Sequence, residues 1–403
     1  MSGEFNVKIV VFIVFCVLIV SLFSFYVLYI SKNMNSEKKH QDNGVHKVLD
    51  LNDVEGSLDL AEQWLVSNLK EKGCFNYIYD PSTDEYSSSN NMIRQLMASR
   101  VLAELSQDSV SLQVLHKKNL DFMFNYWYKE DGDKGYIFYS DKSKLGAIAM
   151  ALRTLVYSPF FDEYQVEAKK LANCILYLQN NDGSLEPWYI EPGYDYDKDY
   201  LLTFYSGEAI LSLVDLYLKT NNDAYLDAAV LSQDYYVDRY VDHLGDNYYP
   251  AYVPWHTQSL NKLYKITGKE EYADAIMVLN DELLKIQDTE NNATLGRFYN
   301  PDHPEYGSPH SSSDGVYTEG LAYAYEIADM IDDEYHKEKY SNATALGVHN
   351  LISLQYTESN TDSLLYPEKV IGAIRYGIDD GRIRIDTTQH TIDAYMKVLL
   401  VFD

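Results

Sequence analysis

Apolar residues recur along most of this chain at the period of an α-helix. In the segment 144–158 they fall at every third or fourth position and so share one helical face. They are Leu145, Ile148, Ala149, Leu152, Leu155 and Val156. Comparable stripes run near residues 58–71, 110–127, 163–179, 223–241, 270–287 and 335–355. The pattern predicts an all-α fold.

A second set of helices begins after aromatic-rich turns, each with polar residues at its start. The starts lie near Asn91, Lys144, Tyr205, Trp255, Gly315 and Asp386. Because they recur at similar intervals and alternate with the first set, they indicate a repeat of helical hairpins. We predict six such hairpins, with all the polar starts at one end of the molecule. Three aromatic stretches between helices, 75–80, 135–140 and 247–252, have weak strand patterns and are predicted to be loops.

The N-terminus carries the strongest signal of any single segment. Residues 9–30 contain no charged side chain, and this length is sufficient to cross a bilayer as one helix. No small-residue cleavage site precedes the polar stretch that follows, so the pattern favours a retained anchor over a signal peptide. We predict a short tail at 1–8, a transmembrane anchor at 9–30 that contacts the lipid bilayer, a flexible tether at 31–54 and one globular domain at 55–403.

Composition narrows the range of partners. The chain has 61 acidic and 33 basic residues, a formal net charge of −28, so we expect no nucleic acid partner. Cys74 and Cys174 could pair or stay free, and neither has metal-ligand spacing. The stretch 195–199 resembles half of a calcium loop without its glycine and closing glutamate. We expect no metal and no cofactor.

Tyrosine is unusually abundant, with 38 residues, many of them between the predicted helices. An aromatic face with a hydroxyl group at its edge suits a sugar ring. Core packing accounts for part of this content as well.

Two of the polar helix starts carry candidate ligand-binding groups. Arg94 lies in the first turn of its helix, where a cation is unfavourable beside the positive end of the helix dipole. It therefore either binds an anion or pairs with a neighbouring glutamate. Tyr205 and Glu208 lie three residues apart on one face. Glu208 is either a functional carboxylate or an ordinary capping residue.

Two further starts carry candidate acids and bases. Trp255 and His256 begin one helix, and the imidazole is a candidate acid, base or hydrogen-bond donor, with a structural role as the alternative. The next helix carries Asp314, Tyr317 and Glu319. Asp314 is a candidate N-cap, whereas Glu319 lies well inside the helix, where burial would raise its pKa as a general acid requires.

The last polar start is the densest. Arg375, Arg382 and Arg384 could hold a carboxylated or sulfated ligand bidentately, or pair with the excess acids. Asp386 and His390 lie four residues apart and therefore share one helical face.

Several stretches resemble local patterns of one known group of enzymes. They are NMIRQ (91–95), YSGEAILSL (205–213), PWHTQSL (254–260), DGVYTEGLAYAYE (314–326) and RIDTTQH (384–390). With its helical hairpins, the region 55–403 resembles the six-hairpin glycosidase-like enzymes, which include unsaturated glucuronyl hydrolases, polysaccharide lyases and the C-terminal domain of glucuronyl C5-epimerases. The resemblance implies an (α/α)6 toroid, here preceded by one transmembrane helix, with a glycan substrate in the funnel where the loops gather. Fold analogy alone does not assign the reaction.

These features together predict a membrane-anchored carbohydrate-active enzyme. We expect a glycoside hydrolase that acts on a uronate-containing or other acidic glycan by carboxylate acid/base chemistry. The predicted catalytic residues are Glu319, Asp314, Glu208 and His256, and the predicted substrate-binding residues are Arg94, Tyr205, Trp255, Tyr317, Arg375, Arg384, Asp386 and His390. Two alternatives stay open: a uronate C5-epimerase or polysaccharide lyase that abstracts the C5 proton, and a noncatalytic glycan-binding membrane protein.

The orientation in the membrane depends on two opposing signals. Lys8 stands alone before the apolar span while four lysines follow it, a bias that favours a cytoplasmic domain. The short N-terminal tail and the implied enzyme class favour the opposite. We expect a single-pass protein with an extracytoplasmic globular domain.

Overall fold

The computed structural model describes residues 49–402, apart from the side chains of residues 246 and 247. The predicted tail, the predicted anchor at 9–30 and most of the predicted tether lie outside these residues. The first helix begins at Leu51 and is capped by Asp50. The globular part therefore begins about one helical turn before the predicted boundary at residue 55.

Twelve helices, each of at least three turns, account for most of the described residues. In chain order they are α1 (Leu51–Ser67), α2 (Met92–Leu105), α3 (Val110–Tyr126), α4 (Leu145–Val156), α5 (Gln165–Tyr177), α6 (Lys198–Thr220), α7 (Asp223–Val237), α8 (Tyr252–Thr267), α9 (Glu270–Leu283), α10 (Ser311–Met330), α11 (Glu334–Ser353) and α12 (Ile385–Phe402). The odd-numbered helices are outer and the even-numbered helices are inner. The predicted helical pattern is confirmed for this part of the chain.

The inner helices form a closed ring. Each packs against the next from α2 to α12, and α12 packs back against α2. Each inner helix also contacts an outer helix, and α1 joins the two ends of the chain by packing against α12. The described domain is therefore a toroid of six helical hairpins, as predicted.

Burial follows the apolar pattern of each helix. Every residue of α4 is buried, because this inner helix has neighbours on all sides. Among the described helices, α6 is the one long and apolar enough to cross a bilayer. However, 78% of its apolar window is buried inside the protein, as expected of a helix within a protein core.

Glycine allows two pairs of inner helices to approach closely. A Cβ atom at Gly207 on α6 would lie 2.5 Å from the Cβ of Trp255 on α8. A Cβ atom at Gly315 on α10 would lie 2.9 Å from the Cβ of His390 on α12. Packed interiors do not accommodate such distances, so the two glycines set the spacing of the helices that carry Trp255 and His390.

The prediction that the three aromatic stretches are loops is wrong for two of them. The described strands are β1 (Ile78–Asp80), β2 (Glu85–Tyr86), β3 (Tyr128–Asp131), β4 (Lys134–Ile137), β5 (Ser143–Lys144), β6 (Trp188–Ile190) and β7 (Ile383–Arg384). The first stretch ends in β1, which pairs antiparallel with both β2 and β7. The second overlaps β4, which forms a hairpin with β3. Short strands depend on a partner that local propensity does not reveal.

Two predicted helix starts are displaced. Helix α6 begins at Lys198, and its cap Asp197 accepts a hydrogen bond from the backbone of Tyr200 at 3.0 Å. Tyr205 and Glu208 therefore lie well inside the helix, and Glu208 is not a capping residue. Helix α10 begins at Ser311 with His310 as its N-cap, so the interpretation of Asp314 as a cap is wrong.

Cys74 and Cys174 are both buried and free. The open question of their pairing is thereby answered for this structure. Burial raises the pKa of the Cys174 thiol to about 12, which makes it a poor nucleophile at neutral pH.

Candidate active site

A cavity of about 390 Å³ opens at the end of the toroid where the inner helices begin. All six hairpins contribute to its wall, through residues in the first turns of an inner helix or immediately before it. One representative of each is Arg94 (α2), Lys144 (before α4), Tyr205 (α6), Trp255 (α8), Tyr317 (α10) and Asp386 (α12). The closed ring thus brings together polar groups that are far apart in the sequence.

One wall of the cavity is a network of charges around Asp386. Arg94 Nε donates a hydrogen bond to this carboxylate at 2.7 Å, and a terminal guanidinium nitrogen of Arg384 donates another at 2.8 Å. Arg384 also donates to it through Nε, and the hydroxyl of Ser312 donates a fourth hydrogen bond at 2.9 Å. Burial alone would raise the pKa of Asp386, but Arg94 and Arg384 outweigh it and hold the pKa well below its usual range. Asp386 is therefore ionised and fixes both guanidinium groups beside the cavity.

Each of the two arginines has a further aromatic contact. Arg94 also donates to the hydroxyl of Tyr77 at 2.6 Å. The guanidinium of Arg384 lies 5.0 Å from the ring centre of Tyr376, within cation–π range. Arg384 ends β7, whose pairing with β1 ties the loop before α2 to the loop before α12. The small sheet therefore positions this wall.

Glu208 on α6 faces the same cavity in a contrasting environment. Its side chain is buried, and its Oε2 atom has no hydrogen-bond partner among the described residues. Burial raises the pKa of Glu208 to about 8, against the opposing charges of Arg153, Lys144 and Arg94. The carboxyl group is therefore protonated at neutral pH and holds a proton that it can donate.

His390 and Trp255 are buried residues of the same cavity wall. Their ring centres lie 5.9 Å apart. Burial is the largest influence on His390 and lowers its pKa to about 4. The imidazole is therefore neutral at pH 7 and can accept a proton.

Tyrosines line the outer part of the cavity. Tyr200 contacts Phe204 and Tyr249 with ring centres 5.6 and 5.7 Å apart, and Tyr249 contacts Tyr306 at 5.8 Å. All four rings line the cavity. Such surfaces can stack against sugar rings.

Eight of the twelve predicted site residues line this cavity. They are Arg94, Tyr205, Glu208, Trp255, Tyr317, Arg384, Asp386 and His390. The other four, Glu319, Asp314, His256 and Arg375, lie elsewhere.

His256 and Asp314 face outer helices. His256 hydrogen-bonds to Ser206 at 2.9 Å and to Gln233 of α7 at 3.2 Å, and burial lowers its pKa to about 3. Asp314 accepts hydrogen bonds from the backbone of Phe298 and from Asn350 of α11, each at 2.9 Å. These partners occupy the polar atoms of both residues away from the cavity.

Glu319 and Arg375 are also displaced from the cavity. Glu319 lies deeper in the ring, where burial and the neighbouring Asp393 raise its pKa to about 8. Arg375 donates to the backbone carbonyl of Ser353 at 2.6 Å and to that of Leu354 at 3.2 Å. It thus holds a loop in place.

One group of side chains below the cavity has a geometry suited to a metal ion. Ligand atoms of Glu319, His390 and Asp393 lie within 4.8 Å of one another. However, Arg100 already forms an ion pair with Asp393, so a cation is present in this cluster. We assign no metal to it.

Several cavity residues were not predicted as site residues. Lys144, His310, Ser312 and Tyr376 all line the cavity. The last three belong to the loop before α10, its first turn and the loop before β7. The polar stretch 300–315 is the signal that would have found His310 and Ser312.

Comparison with solved structures identifies the fold. A D-mannose isomerase matches with a TM-score of 0.64 at 12% identity, over 86% of this chain and 97% of that one. The GH76A alpha-1,6-mannanase from Salegentibacter sp. HEL1_6 matches with a TM-score of 0.62 at 12% identity, over 87% and 100%. The unsaturated glucuronyl hydrolase from Streptococcus agalactiae matches with a TM-score of 0.56 at 12% identity, over 88% and 93%.

These neighbours define the class of fold, the six-hairpin glycosidase-like (α/α)6 toroid. No family model matches the sequence, and no curated protein matches it. At 12% identity the likeness extends to the fold alone. The predicted resemblance to this fold group is confirmed.

Proposed function

We propose that this protein is a glycoside hydrolase with Glu208 as its general acid. The observation that carries the proposal is the state of Glu208: a buried carboxyl group that lines the cavity, has an unpaired oxygen and has its pKa raised to about 8. Such a group is protonated at neutral pH and can donate its proton to the leaving oxygen of a glycosidic bond.

His390 is the residue best suited to activate water. Asp386 is an ionised carboxylate of the same cavity, but its oxygens already accept hydrogen bonds from Arg94, Arg384 and Ser312, and its lowered pKa makes it a weak base. The pKa of His390, about 4, equals that of an ordinary carboxylate base. In the reaction, Glu208 protonates the leaving oxygen as the bond to the anomeric carbon breaks. A water oxygen bonds to that carbon, and the proton of the water passes to His390.

Arg94 and Arg384 suggest the substrate class. Guanidinium groups held in place by Asp386 can bind a sugar carboxylate through paired hydrogen bonds. The tyrosine rings at the outer part of the cavity would stack on the sugar faces. We therefore propose that the substrate is a uronate-containing or other acidic glycan. We further propose that residues 9–30 anchor the protein in a membrane and that its globular domain meets the glycan on the outer side.

The similarity to the mannanases supports a glycan substrate for this protein. It does not support the same catalytic residues. A variant of the Salegentibacter enzyme with two consecutive aspartates replaced by asparagine is inactive and was captured with alpha-1,6-mannotriose. The carboxyl groups in the cavity described here, Glu208 and Asp386, come from different helices. A mannan substrate is therefore not part of the proposal.

A second candidate is removal of the C5 proton of a uronate, as in a lyase or an epimerase. The specific observation in its favour is that a neutral imidazole, His390, lines the same cavity as two fixed guanidinium groups, those of Arg94 and Arg384. The arginines would stabilise the charge that develops on the sugar carboxylate while His390 takes the proton.

One experiment separates the candidates. The full chain, purified in mild detergent, is incubated with a polysaccharide panel in deuterated buffer, and reducing ends, unsaturated products and deuterium uptake are measured together. A hydrolase releases reducing ends without unsaturation and without deuterium at C5. Unsaturated products indicate a lyase, deuterium at C5 indicates an epimerase, and binding without turnover indicates a noncatalytic glycan-binding protein.

A further inference from the structure

Two further depressions adjoin the cavity on the surface. A second depression of about 260 Å³ shares Asn91 and Lys144 with the cavity. A third, of about 430 Å³, shares Tyr139 and Ser140 with the second. Each depression therefore has a wall in common with the next, and we call the three together the track.

The wall between the second and third depressions is a tight turn. Ser140 and Asp141 both have left-handed backbone conformations, with φ of 50° and 59°. Tyr139 and Lys142 on either side of them form an isolated β-bridge. The turn and its bridge thus fix the backbone positions of Tyr139 and Lys142 at the track.

The charge of the track is opposite to that of the chain. Its lining contains five basic side chains, Arg94, Arg384, Lys144, Lys142 and Lys72, and two acidic ones, Glu208 and Asp386. The whole chain has nearly twice as many acidic as basic residues. This concentration of cations on one path is the reverse of what the composition would produce by chance.

Among the described residues, the three lysines of the track form no ion pair with a carboxylate; each has a ring beside it instead. Lys144 Nζ lies 5.6 Å from the ring centre of Trp188, Lys142 Nζ lies 5.0 Å from that of Tyr194 and Lys72 Nζ lies 5.7 Å from that of Phe122. An ammonium group paired with a ring instead of an acid keeps its charge available to an anionic ligand.

The far end of the track is aromatic. Phe122, Tyr126 and Trp127 line the third depression, and Phe122 lies 4.8 Å from Tyr126 and 5.1 Å from Trp127, centre to centre. Aromatic faces beside an unpaired lysine match an acidic sugar, which has an apolar face and a charged group.

We infer that the track binds a linear anionic glycan, with one end at the cavity and the rest of the chain along Lys144, Lys142 and Lys72. This inference rests on the proposed function and adds to it that the substrate is a polymer bound over several sugar units. It also fixes the direction in which the polymer leaves the cavity, over the turn 139–142.

The test measures affinity against glycan length. The full chain carrying Glu208→Gln, which is expected to slow turnover, is titrated calorimetrically with oligoglucuronides of two, four and eight residues and with neutral oligoglucosides of the same lengths. The octamer of the uronide should bind more tightly than its dimer, and added salt should reduce the difference. Lys142→Gln and Lys72→Gln should each lower the ratio of octamer to dimer affinity by roughly twofold to fivefold.

Lys169→Gln is the matched control, since Lys169 is exposed on the outer helix α5 and lines none of the three depressions. It should leave the ratio unchanged. Equal affinity for all uronide lengths would overturn the track and leave the proposed function standing. If the octamer of the neutral oligoglucoside gains as much affinity over its dimer as the uronide octamer does, the track does not select an anionic glycan. If no uronide of any length binds, the proposed substrate class fails, and the track fails with it.

Discussion

Glu208 and Asp386 are two carboxyl groups of one cavity whose pKa values move in opposite directions. Burial without a hydrogen-bond partner for one oxygen keeps Glu208 protonated, whereas two guanidinium groups keep Asp386 ionised. Opposed pKa values of this kind divide the roles of two acids in catalysis. In the proposed mechanism they separate the proton donor, Glu208, from Asp386, which positions Arg94 and Arg384.

Replacing Glu208 with glutamine tests the proton donor. The amide keeps the shape of the side chain but has no acidic proton, so we expect kcat for glycan hydrolysis to fall about 10²- to 10⁴-fold. Initial rates of reducing-end release give the comparison. Glu270→Gln, at an exposed position of α9, is the control and should be fully active. Unchanged kcat in Glu208→Gln would exclude this residue as the acid.

The pH dependence of kcat follows from Glu208 and His390. Activity should fall as the pH drops through about 4, because His390 gains a proton, and as it rises through about 8, because Glu208 loses one. The rates of the wild-type protein across this range give the profile. A profile without the alkaline limb would contradict the role of Glu208.

The raised pKa of Glu208 also affects stability. In the unfolded chain its pKa is near 4.5, so its contribution is fully present below that pH and is lost as the pH rises through about 8. Each tenfold difference in acid dissociation constant between the folded and unfolded chains corresponds to about 1.4 kcal/mol. Between pH 5 and pH 8, the free energy of unfolding measured with urea should therefore decrease less in Glu208→Gln than in the wild type. Glu270→Gln should behave as the wild type.

Arg384→Lys tests recognition of the sugar carboxylate. Lysine keeps the charge but cannot make the paired hydrogen bonds of a guanidinium group, so we expect KM for a uronide to rise about 10- to 100-fold. Arg382→Lys is the matched control, because Arg382 is exposed and pairs with Asp380. Equal effects of the two substitutions would indicate that neither residue binds the substrate.

The sequence predicts which helix start carries a polar residue better than it predicts which way that residue faces. Trp255 lines the cavity, whereas the adjacent His256 is rotated by about 100° around the same helix and faces α7. Asp386 and His390, four residues apart, share a face, and both line the cavity. Glu319 lies inside its helix, as predicted, but below the floor of the cavity. The depth of the cavity depends on how all six inner helices pack, which the sequence of one helix does not reveal.

At the scale of elements, the period of the apolar residues predicted the helices but not the strands. Strands such as β7, with two residues, have no periodicity to detect, and β7 finds its partner β1 across almost the whole chain. This pairing is nevertheless what places Arg384 beside the cavity. The least predictable element of the fold thus positions one of the proposed substrate-binding side chains.

Close helix contacts at glycine lead to a prediction about stability. Gly207→Ala should lower the free energy of unfolding by about 1 to 3 kcal/mol, because the added methyl group meets Trp255. Gly56→Ala on α1 is the matched control: a Cβ there has nothing within 4 Å, and alanine should stabilise that helix by up to about 1 kcal/mol. Urea unfolding of both variants gives the measurement. Equal effects would contradict the close packing of α6 on α8.

At the scale of the whole molecule, the predicted anchor can be tested by the partition of the protein between membrane and solution. Removing residues 1–46 should transfer the protein from the membrane pellet to the supernatant after centrifugation, because it removes the apolar span at 9–30. Deleting residues 31–46 alone is the control and should leave the protein in the pellet. A full-length chain that is soluble without detergent would contradict the anchor.

The ring is completed by α12, which packs against α1 and α2 and also carries Asp386 and His390. The first and last described helices therefore form the seam that closes the ring. Cleavage before α12 would remove this seam and, with it, Asp386 and His390 of the cavity wall. Loss of this one segment would open the ring and dismantle the candidate site at the same time.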